Sequence, residues 1–259
     1  MPVAYVNGQN LHYQVYGEGF PLVLAHGYTA SIDMWRRQMP AFSDRYQVIA
    51  YDARGHGLSS APEGKEAYSL EHLVNDLHAL LHFLNIKQAY LAGHSMGGAT
   101  VAGFAHQHPN IAKATLICNI DGGHQPKADE ATRAQFFAER EQKHLLVKER
   151  GLVDYARQQI ANRVAPAFIC DDPDEQVAYL ERYARQSENG FLGVGLALPW
   201  RERWLTQAAA SLEGPVLIIA GSEDVMHIGA KRLYKELPQS RFVSIKDAPH
   251  DSVNARPEA

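Results

Sequence analysis

The segment 93–98, Gly-His-Ser-Met-Gly-Gly, constrains the fold more than any other part of the chain. It follows a short apolar run, 89–92, and precedes a stretch with helical character, 97–107. A G-x-S-x-G sequence between a strand and a helix forces a sharp turn that lifts the serine hydroxyl clear of the sheet. Glycine suits positions 93 and 97 because a side chain there would crowd the strained backbone. The alternative is a glycine-rich turn that merely contains a serine, so a nucleophile at this position needs catalytic partners elsewhere.

Strand-like and helix-like patterns alternate along the first half of the chain. In 70–84, leucine and valine recur at helical intervals, and Ser69 directly before them is a good N-cap. The alternation stops between 122 and 212, where helix formers are common and no strand is evident. Alternation of this kind predicts an α/β fold in which helices cover both faces of a mostly parallel sheet. The predicted strands are 11–16, 22–25, 47–51, 89–92, 114–119, 215–220 and 241–245, and the predicted helices are 31–42, 70–84 and 97–107.

A serine that transfers acyl groups needs a base that takes its proton and an acid that orients the base. Asp224 and His250 each follow a predicted strand, and open parallel sheets place their chemistry at the carboxyl ends of the strands. The chain order Ser95, Asp224, His250 is the order found in one group of serine hydrolases. These three residues form the predicted catalytic triad.

Four parts of the sequence carry a resemblance to a known family. They are Leu-Ala-His-Gly-Tyr at 24–28, Asp-Ala-Arg-Gly-His-Gly-Leu-Ser at 52–59, the segment 93–98, and the segments around Asp224 and His250. Together, and in this order, they resemble the α/β-hydrolase superfamily, in the branch of small serine esterases, haloperoxidases and 3-oxoadipate enol-lactonases.

The resemblance implies the α/β-hydrolase fold. Its core would comprise 1–121 and 213–259, and 122–212 would form a helical lid over the serine. Some members of the family have their catalytic acid at the position of Asp121. Asp121 is therefore the alternative to Asp224 as the acid of the triad. The family also begins its last helix where this sequence ends, at 254–259.

A tetrahedral intermediate develops negative charge on oxygen, which two backbone N–H groups can stabilise. The N–H of Met96 is one predicted donor because it directly follows the nucleophile. The resemblance implies the N–H of Tyr28 as the other donor. His26 is interpreted as a structural residue that holds this loop by hydrogen bonds. The segment 52–57 is interpreted as a structural turn, since it lacks the Lys and Ser/Thr of a phosphate-binding loop.

Lids of this kind exclude water and shape the acyl pocket. Phe136, Phe168, Phe191 and Trp200 are the predicted substrate-binding residues of the lid. The alternative is that most apolar lid residues only bury the lid against the core. The 13 histidines show no zinc-ligand pattern. We expect neither a metal nor a cofactor, because the predicted serine chemistry requires none.

Composition excludes several classes of function. With 46% hydrophobic and 21% charged residues, the chain has the composition of a soluble globular protein with a large core. A net charge of −4 gives no reason to expect a nucleic acid or an anionic membrane as partner. The sequence lacks an apolar run of about 20 residues and a signal peptide, which predicts a cytoplasmic protein. Cys118 and Cys170 do not require a disulfide. Family habit favours a monomer or homodimer.

These observations predict a serine hydrolase that cleaves a small ester or lactone through an acyl-enzyme on Ser95. Dehalogenases and epoxide hydrolases of the same fold use an aspartate nucleophile, which disfavours them here. Carbon–carbon bond hydrolysis, acyl transfer and perhydrolysis use the same machinery and stay open as alternatives. A ligand receptor that keeps the triad but turns over slowly is a further alternative.

Overall fold

The computed structural model describes residues 2–120, 130–197 and 211–259. Its centre is an eight-stranded sheet with the spatial order β1-β2-β4-β3-β5-β6-β7-β8. The strands are β1 (Val3–Val6), β2 (Gln9–Tyr16), β3 (Phe20–Ala25), β4 (Tyr46–Tyr51), β5 (Ala89–His94), β6 (Ala112–Cys118), β7 (Val216–Gly221) and β8 (Ser240–Ile245). β2 pairs antiparallel with β1 and β4, and the other neighbours pair parallel. The predicted mostly parallel α/β sheet is therefore confirmed.

All seven predicted strands are present, with ends shifted by no more than two residues. The sequence analysis missed β1. Its signal was Asn7-Gly8, where both residues have positive φ, 49° and 72°, as a tight hairpin turn requires. Only Ala4 of β1 is buried, so the strand lacks the apolar alternation on which the other predictions relied.

The helices are α1 (Gln38–Phe42), α2 (Leu70–Phe83), α3 (Met96–Gln107), α4 (Glu130–Ala161), α5 (Ala167–Cys170), α6 (Pro173–Ala184), α7 (Glu188–Ala197), α8 (His227–Glu236) and α9 (Ser252–Ala255). The predicted helix 31–42 is confirmed only in part, because this stretch forms a 3-10 helix, Ile32–Trp35, followed by the short α1. Asp52 accepts a hydrogen bond from the N–H of Ile32 at 2.8 Å, which ties the first turn to the end of β4. Pro40 has no N–H, so a continuous helix would lose a hydrogen bond there.

Helix α2 packs its apolar face into the main core. The Ser69 side chain caps the helix by accepting from the N–H of His72 at 3.2 Å, as predicted. α2 contacts α3, which covers β5 and β6. The buried residues of α2 include Leu73, Leu77 and Leu80, which belong to the main core.

The described residues between β6 and β7 form helices with a small core of their own. We call 130–197 the cap. α4 is interrupted at Gly151, whose φ of 79° and ψ of 165° are not helical. Val147, Tyr155 and Phe191 are among the buried residues of the cap core. The predicted limits of the lid, 122 and 212, stay predictions.

Polar contacts hold the cap on the carboxyl edge of the sheet. Arg36, beside the 3-10 helix, makes two 2.8 Å hydrogen bonds with the carboxylate of Glu175 in α6. Gln186 donates to the carbonyl of Gly55 at 2.7 Å. At Gly190, a Cβ would overlap the backbone of Gly55, so α7 lies directly against the loop after β4. The cap therefore contacts the loops that the sheet places around Ser95.

Both cysteines are free thiols. Cys118 is buried at the end of β6, and burial raises the pKa of its thiol to about 12. Within the described ranges 2–120, 130–197 and 211–259, no helix combines the length and the apolar character needed to cross a membrane.

A buried ion pair stabilises the loop after β4. Arg54 contacts both carboxylate oxygens of Asp76 in α2, at 2.6 and 2.7 Å, and donates to the carbonyl of Ala67 at 2.8 Å. The two paired side chains are 5% and 1% exposed. Asp76→Ala should lower the free energy of unfolding by about 3–5 kcal/mol, because it leaves the Arg54 charge buried and unpaired.

Urea denaturation measures this loss. Asp154→Ala is the matched control, since its pair with Arg157 is largely exposed and such pairs contribute little. An Asp76→Ala protein as stable as the Asp154→Ala protein would contradict the prediction.

Candidate active site

Ser95 occupies the sharp turn between β5 and α3. Its backbone has φ 50° and ψ −111°, a conformation that residues with a side chain rarely adopt. A Cβ on Gly93 would overlap the carbonyl of Gly97, and a Cβ on Gly97 would overlap the carbonyl of Ala25. The glycines therefore allow α3 to pack directly on β3 and β5. The Ser95 N–H donates to the carbonyl of Cys118 at 2.8 Å, which holds the turn against β6.

The structure brings Ser95, His250 and Asp224 together. The Nε2 atom of His250 lies 3.1 Å from Ser95 Oγ, and its Nδ1 atom lies 3.0 Å from both carboxylate oxygens of Asp224. The Asp224 side chain is completely buried, whereas 42% of the His250 side chain is exposed. Because an ionised carboxylate only accepts hydrogen bonds, Nδ1 of His250 carries a proton and Nε2 faces the serine hydroxyl. This arrangement suits removal of the Ser95 proton.

The Asp224 carboxylate is stabilised in its ionised form. Burial raises its pKa, but hydrogen bonds from His250, from the Met226 N–H at 3.0 Å and from the Asn119 amide at 2.6 Å outweigh burial and leave the pKa below its usual value. The Asn119 carbonyl oxygen in turn accepts from the Ser252 hydroxyl at 2.6 Å.

Sequence reasoning missed Asn119 and Ser252 as members of this network. The signal was the polar Asn119 at the end of predicted strand 114–119, because parallel sheets carry their functional side chains at the carboxyl ends of the strands. The alternative acid, Asp121, lies outside the described residues.

The loop after β3 lies next to the triad. His26 Nδ1 donates to the carbonyl of Gly27 at 2.7 Å, and its Nε2 accepts from the N–H of Ala53 at 3.0 Å. Burial lowers the pKa of His26, which favours this neutral tautomer. The prediction that His26 holds the loop by hydrogen bonds is therefore confirmed. Met96 is the first residue of α3, and N–H groups in the first turn of a helix have no acceptor within the helix. The oxyanion role of Tyr28 and Met96 stays a prediction.

The segment after β4 is a structural turn, as interpreted from the sequence. Asp52 accepts from the N–H groups of Ile32 and Leu58 at 2.8 and 3.0 Å and from His12 Nδ1 at 2.8 Å. Burial raises the pKa of Asp52, but these bonds and the nearby His26 outweigh burial and lower it. In the part of the chain that the structure describes, no group of three or more His, Cys, Asp or Glu side chains could hold a metal ion.

A cavity of about 210 Å³ lies between the Tyr28 loop and the cap. Tyr28 donates its hydroxyl to the carbonyl of Phe191 at 2.6 Å, and the two rings stack with centroids 5.7 Å apart. The Arg140 guanidinium lies 5.9 Å from the centre of the Tyr28 ring and donates to the carbonyl of Gly195. The cavity is lined by aromatic Tyr28, Tyr155, Tyr183 and Phe191 and by basic Arg140, Lys143 and His144.

Two of the four predicted substrate-binding residues have described side chains, and these two line different cavities. Phe191 lines the cavity beside Tyr28. Phe168 lines a separate cavity of about 230 Å³, together with Arg182 of α6. Trp200 and the side chain of Phe136 lie outside the described part of the chain. The substrate-binding role of all four residues stays a prediction.

The chain is similar to known hydrolases along most of its length. The family described as alpha/beta hydrolase fold matches residues 21–253. 3-oxoadipate enol-lactonase 2 of Acinetobacter baylyi is 31% identical over 252 residues, which cover 96% of this chain and 89% of that protein. The crystal structure of the enol-lactonase from Burkholderia xenovorans LB400 is 25% identical with a TM-score of 0.83, and covers 99% of this chain and 95% of that one. A Bacillus megaterium epoxide hydrolase, 20% identical, shares the fold with a TM-score of 0.81 and covers 99% of this chain and 96% of that one.

The match over 21–253 shows that the chain belongs to the alpha/beta hydrolase fold family. The resemblance predicted from the sequence motifs is confirmed. The family and its named relatives support a hydrolase as the class of enzyme.

The lowered pKa of Asp224 predicts how stability depends on pH. Because the folded-state pKa lies below the unfolded value of 3.8, the carboxylate stabilises the protein above that pH, and this stability is lost as the pH falls through the folded-state pKa. Asp224→Asn should therefore destabilise the protein at about pH 5, and the difference from wild type should shrink below about pH 4.

Urea unfolding of both proteins between about pH 5 and pH 3 measures the difference. Asp44→Asn, which removes an exposed carboxylate, controls for the change in surface charge. A wild-type advantage over Asp224→Asn that stays constant across this range would contradict the prediction.

Proposed function

We propose that this protein is a serine hydrolase that cleaves a carboxylic ester or lactone through an acyl-enzyme on Ser95. The observation that carries the proposal is the continuous hydrogen-bonded chain from Ser95 Oγ through His250 to Asp224, with distances of 3.1 and 3.0 Å. The full-length similarity to an enol-lactonase supports the same class of bond.

In the proposed reaction, Ser95 Oγ attacks the substrate carbonyl while His250 Nε2 takes the hydroxyl proton. Asp224 holds the other ring nitrogen and stabilises the imidazolium that forms. The N–H groups of Met96 and Tyr28 stabilise the oxyanion. His250 then protonates the leaving oxygen, and the bond between this oxygen and the carbonyl carbon breaks. A water activated by His250 releases the acid and restores Ser95, and the proposed chemistry requires no cofactor or metal.

We further propose that the acyl group carries a carboxylate. The cavity beside Tyr28 is lined by the cationic side chains of Arg140 and Lys143, and no acidic residue is among the described residues that line it. Burial and the charges of Arg140 and Lys148 lower the pKa of His144, so its imidazole is a neutral hydrogen-bond partner in this cavity. The relative from Acinetobacter baylyi is named for 3-oxoadipate, a doubly acidic compound.

The proposed kind of substrate, location and oligomeric state follow from composition and from what is common in the family. The substrate is a small molecule rather than a nucleic acid or a membrane, in line with the net charge of −4. A cytoplasmic monomer or homodimer remains our expectation, with Phe136, Phe168, Phe191 and Trp200 as further pocket residues.

The proposal predicts a burst of p-nitrophenol from p-nitrophenyl acetate. Stopped-flow measurement should show about one equivalent released per enzyme, followed by steady turnover, because this activated ester acylates Ser95 faster than water hydrolyses the acyl-enzyme. Ser95→Ala should abolish both phases. Release that Ser95→Ala leaves unchanged would overturn the proposal, and a burst without turnover would favour a receptor or an acyltransferase.

The charge of the cavity predicts a preference between two esters of similar length. The kcat/KM for p-nitrophenyl hemisuccinate should exceed that for p-nitrophenyl butyrate. Lys143→Gln should lower the hemisuccinate value about fivefold and leave the butyrate value unchanged, because about 1 kcal/mol of charge attraction is lost near water.

Lys231→Gln makes the same exchange at an exposed position of α8, away from the cavity, and should change neither value. Equal kcat/KM values for the two esters, or an equal loss on both in Lys143→Gln, would contradict a carboxylate site.

A further inference from the structure

His94 contacts two parts of the site, His250 and the loop after β3, and has no role in the chemistry derived above. It is the residue directly before Ser95, at the end of β5, and its side chain is buried. Sequence reasoning treated it only as one of the 13 histidines that show no zinc-ligand pattern.

The first contact joins His94 to the main chain of His250. The Nε2 atom of His94 lies 2.7 Å from the His250 carbonyl oxygen. Because a carbonyl oxygen only accepts, the His94 proton lies on Nε2. The two imidazole rings also meet edge to face, with centroids 5.0 Å apart and an interplanar angle of 62°. One side chain on the strand of the nucleophile therefore holds both the backbone and the ring of the proposed base.

The second contact joins His94 to the loop after β3. A Cβ on Gly27 would lie 2.8 Å from Nδ1 of His94, so the glycine backbone packs against this edge of the ring. Nδ1 is buried, and no hydrogen-bond partner for it is present among the described residues. The ring thus fills the space between the Gly27–Tyr28 loop and the loop that carries His250.

The neutral charge state of His94 agrees with its role as a hydrogen-bond donor to the His250 carbonyl. Burial, followed by the nearby His250, lowers the pKa of His94 to about 4. The ring therefore stays neutral around neutral pH and keeps its single proton on Nε2. A proton relay through His94 is not needed for this role.

Asp224 holds the His250 ring, and two further bonds hold the residues that precede His250 in its loop. The Asp247 N–H donates to Ser222 Oγ at 2.9 Å, and the Ala248 carbonyl accepts from the Glu223 N–H at 3.0 Å. Both bonds connect the loop to the segment after β7. The bond from His94 connects it to β5, the strand that leads to Ser95.

We propose that His94 is a positioning residue for the general base: its Nε2–H anchors the His250 carbonyl to the strand of the nucleophile and so sets the distance between His250 Nε2 and Ser95 Oγ. This inference rests on the proposed function. Misplacement of a reacting group by about 1 Å can cost about 100-fold in rate. The loss falls on kcat, because His94 does not line the cavity beside Tyr28.

Two substitutions of His94 distinguish a role in positioning His250 from a role that only fills space. His94→Phe keeps a flat ring but removes the donor, and should lower kcat for p-nitrophenyl butyrate by about 100-fold with KM within about twofold. His94→Gln places an amide N–H near the position of Nε2 and should recover most of the lost kcat. Should His94→Phe fail to fold, His94→Asn makes the same comparison, since its shorter amide does not reach the His250 carbonyl.

Crystal structures of the three proteins provide a readout that needs no turnover. His250 Nε2 should move away from Ser95 Oγ in His94→Phe and return in His94→Gln. Equal kcat in His94→Phe and wild type, or an unmoved His250, would overturn the role of His94 alone. Wild-type protein without Ser95-dependent turnover would instead overturn the proposed function.

Discussion

The close backbone contact at the turn between β5 and α3 is the constraint on which the site depends. A non-glycine residue with positive φ costs on the order of 1–3 kcal/mol, and it persists only where its surroundings enforce it. Here Gly93 and Gly97 let α3 approach the sheet so closely that no Cβ fits, and β6 accepts the Ser95 N–H. Packing of α3 against the sheet therefore maintains the strain, and the serine hydroxyl is presented at the edge of the sheet.

Burial favours the neutral form of three histidines around this turn. It lowers the pKa of His26 and His94, and it lowers the pKa of His56 to about 3. These rings can act as neutral donors or acceptors that hold loops in place. His250 differs because it keeps contact with solvent and with the buried Asp224 carboxylate. In our proposal, this difference in environment leaves one imidazole to accept the serine proton while the others support its position.

The cap adds the features that would distinguish one substrate from another. Its helices have their own apolar core and are tied to the loops of the sheet by Arg36–Glu175 and Gln186–Gly55 contacts. Tyr28 links the cap to the sheet, since its backbone belongs to the loop after β3 and its hydroxyl donates a hydrogen bond to the cap. A basic and aromatic cavity at this junction is consistent with a fold that keeps one set of reacting groups and varies the covering segment.

The sequence by itself determined the elements whose causes are local. Apolar runs identified seven strands, helical periodicity and Ser69 identified α2, and the order of Ser95, Asp224 and His250 indicated a triad that the structure brings within hydrogen-bond distance. These predictions hold because strand pattern, capping and chain order are properties of short segments or of topology.

Only the tertiary structure decided the rest, because its causes are contacts between residues far apart in sequence. The stretch predicted as one helix at 31–42 instead begins as a short 3-10 helix, whose first N–H, that of Ile32, bonds Asp52. Asn119 reaches Asp224 across 105 positions, and His94 reaches His250 across 156. No local pattern encodes such pairs, since they exist only once the parallel strands have aligned their carboxyl ends.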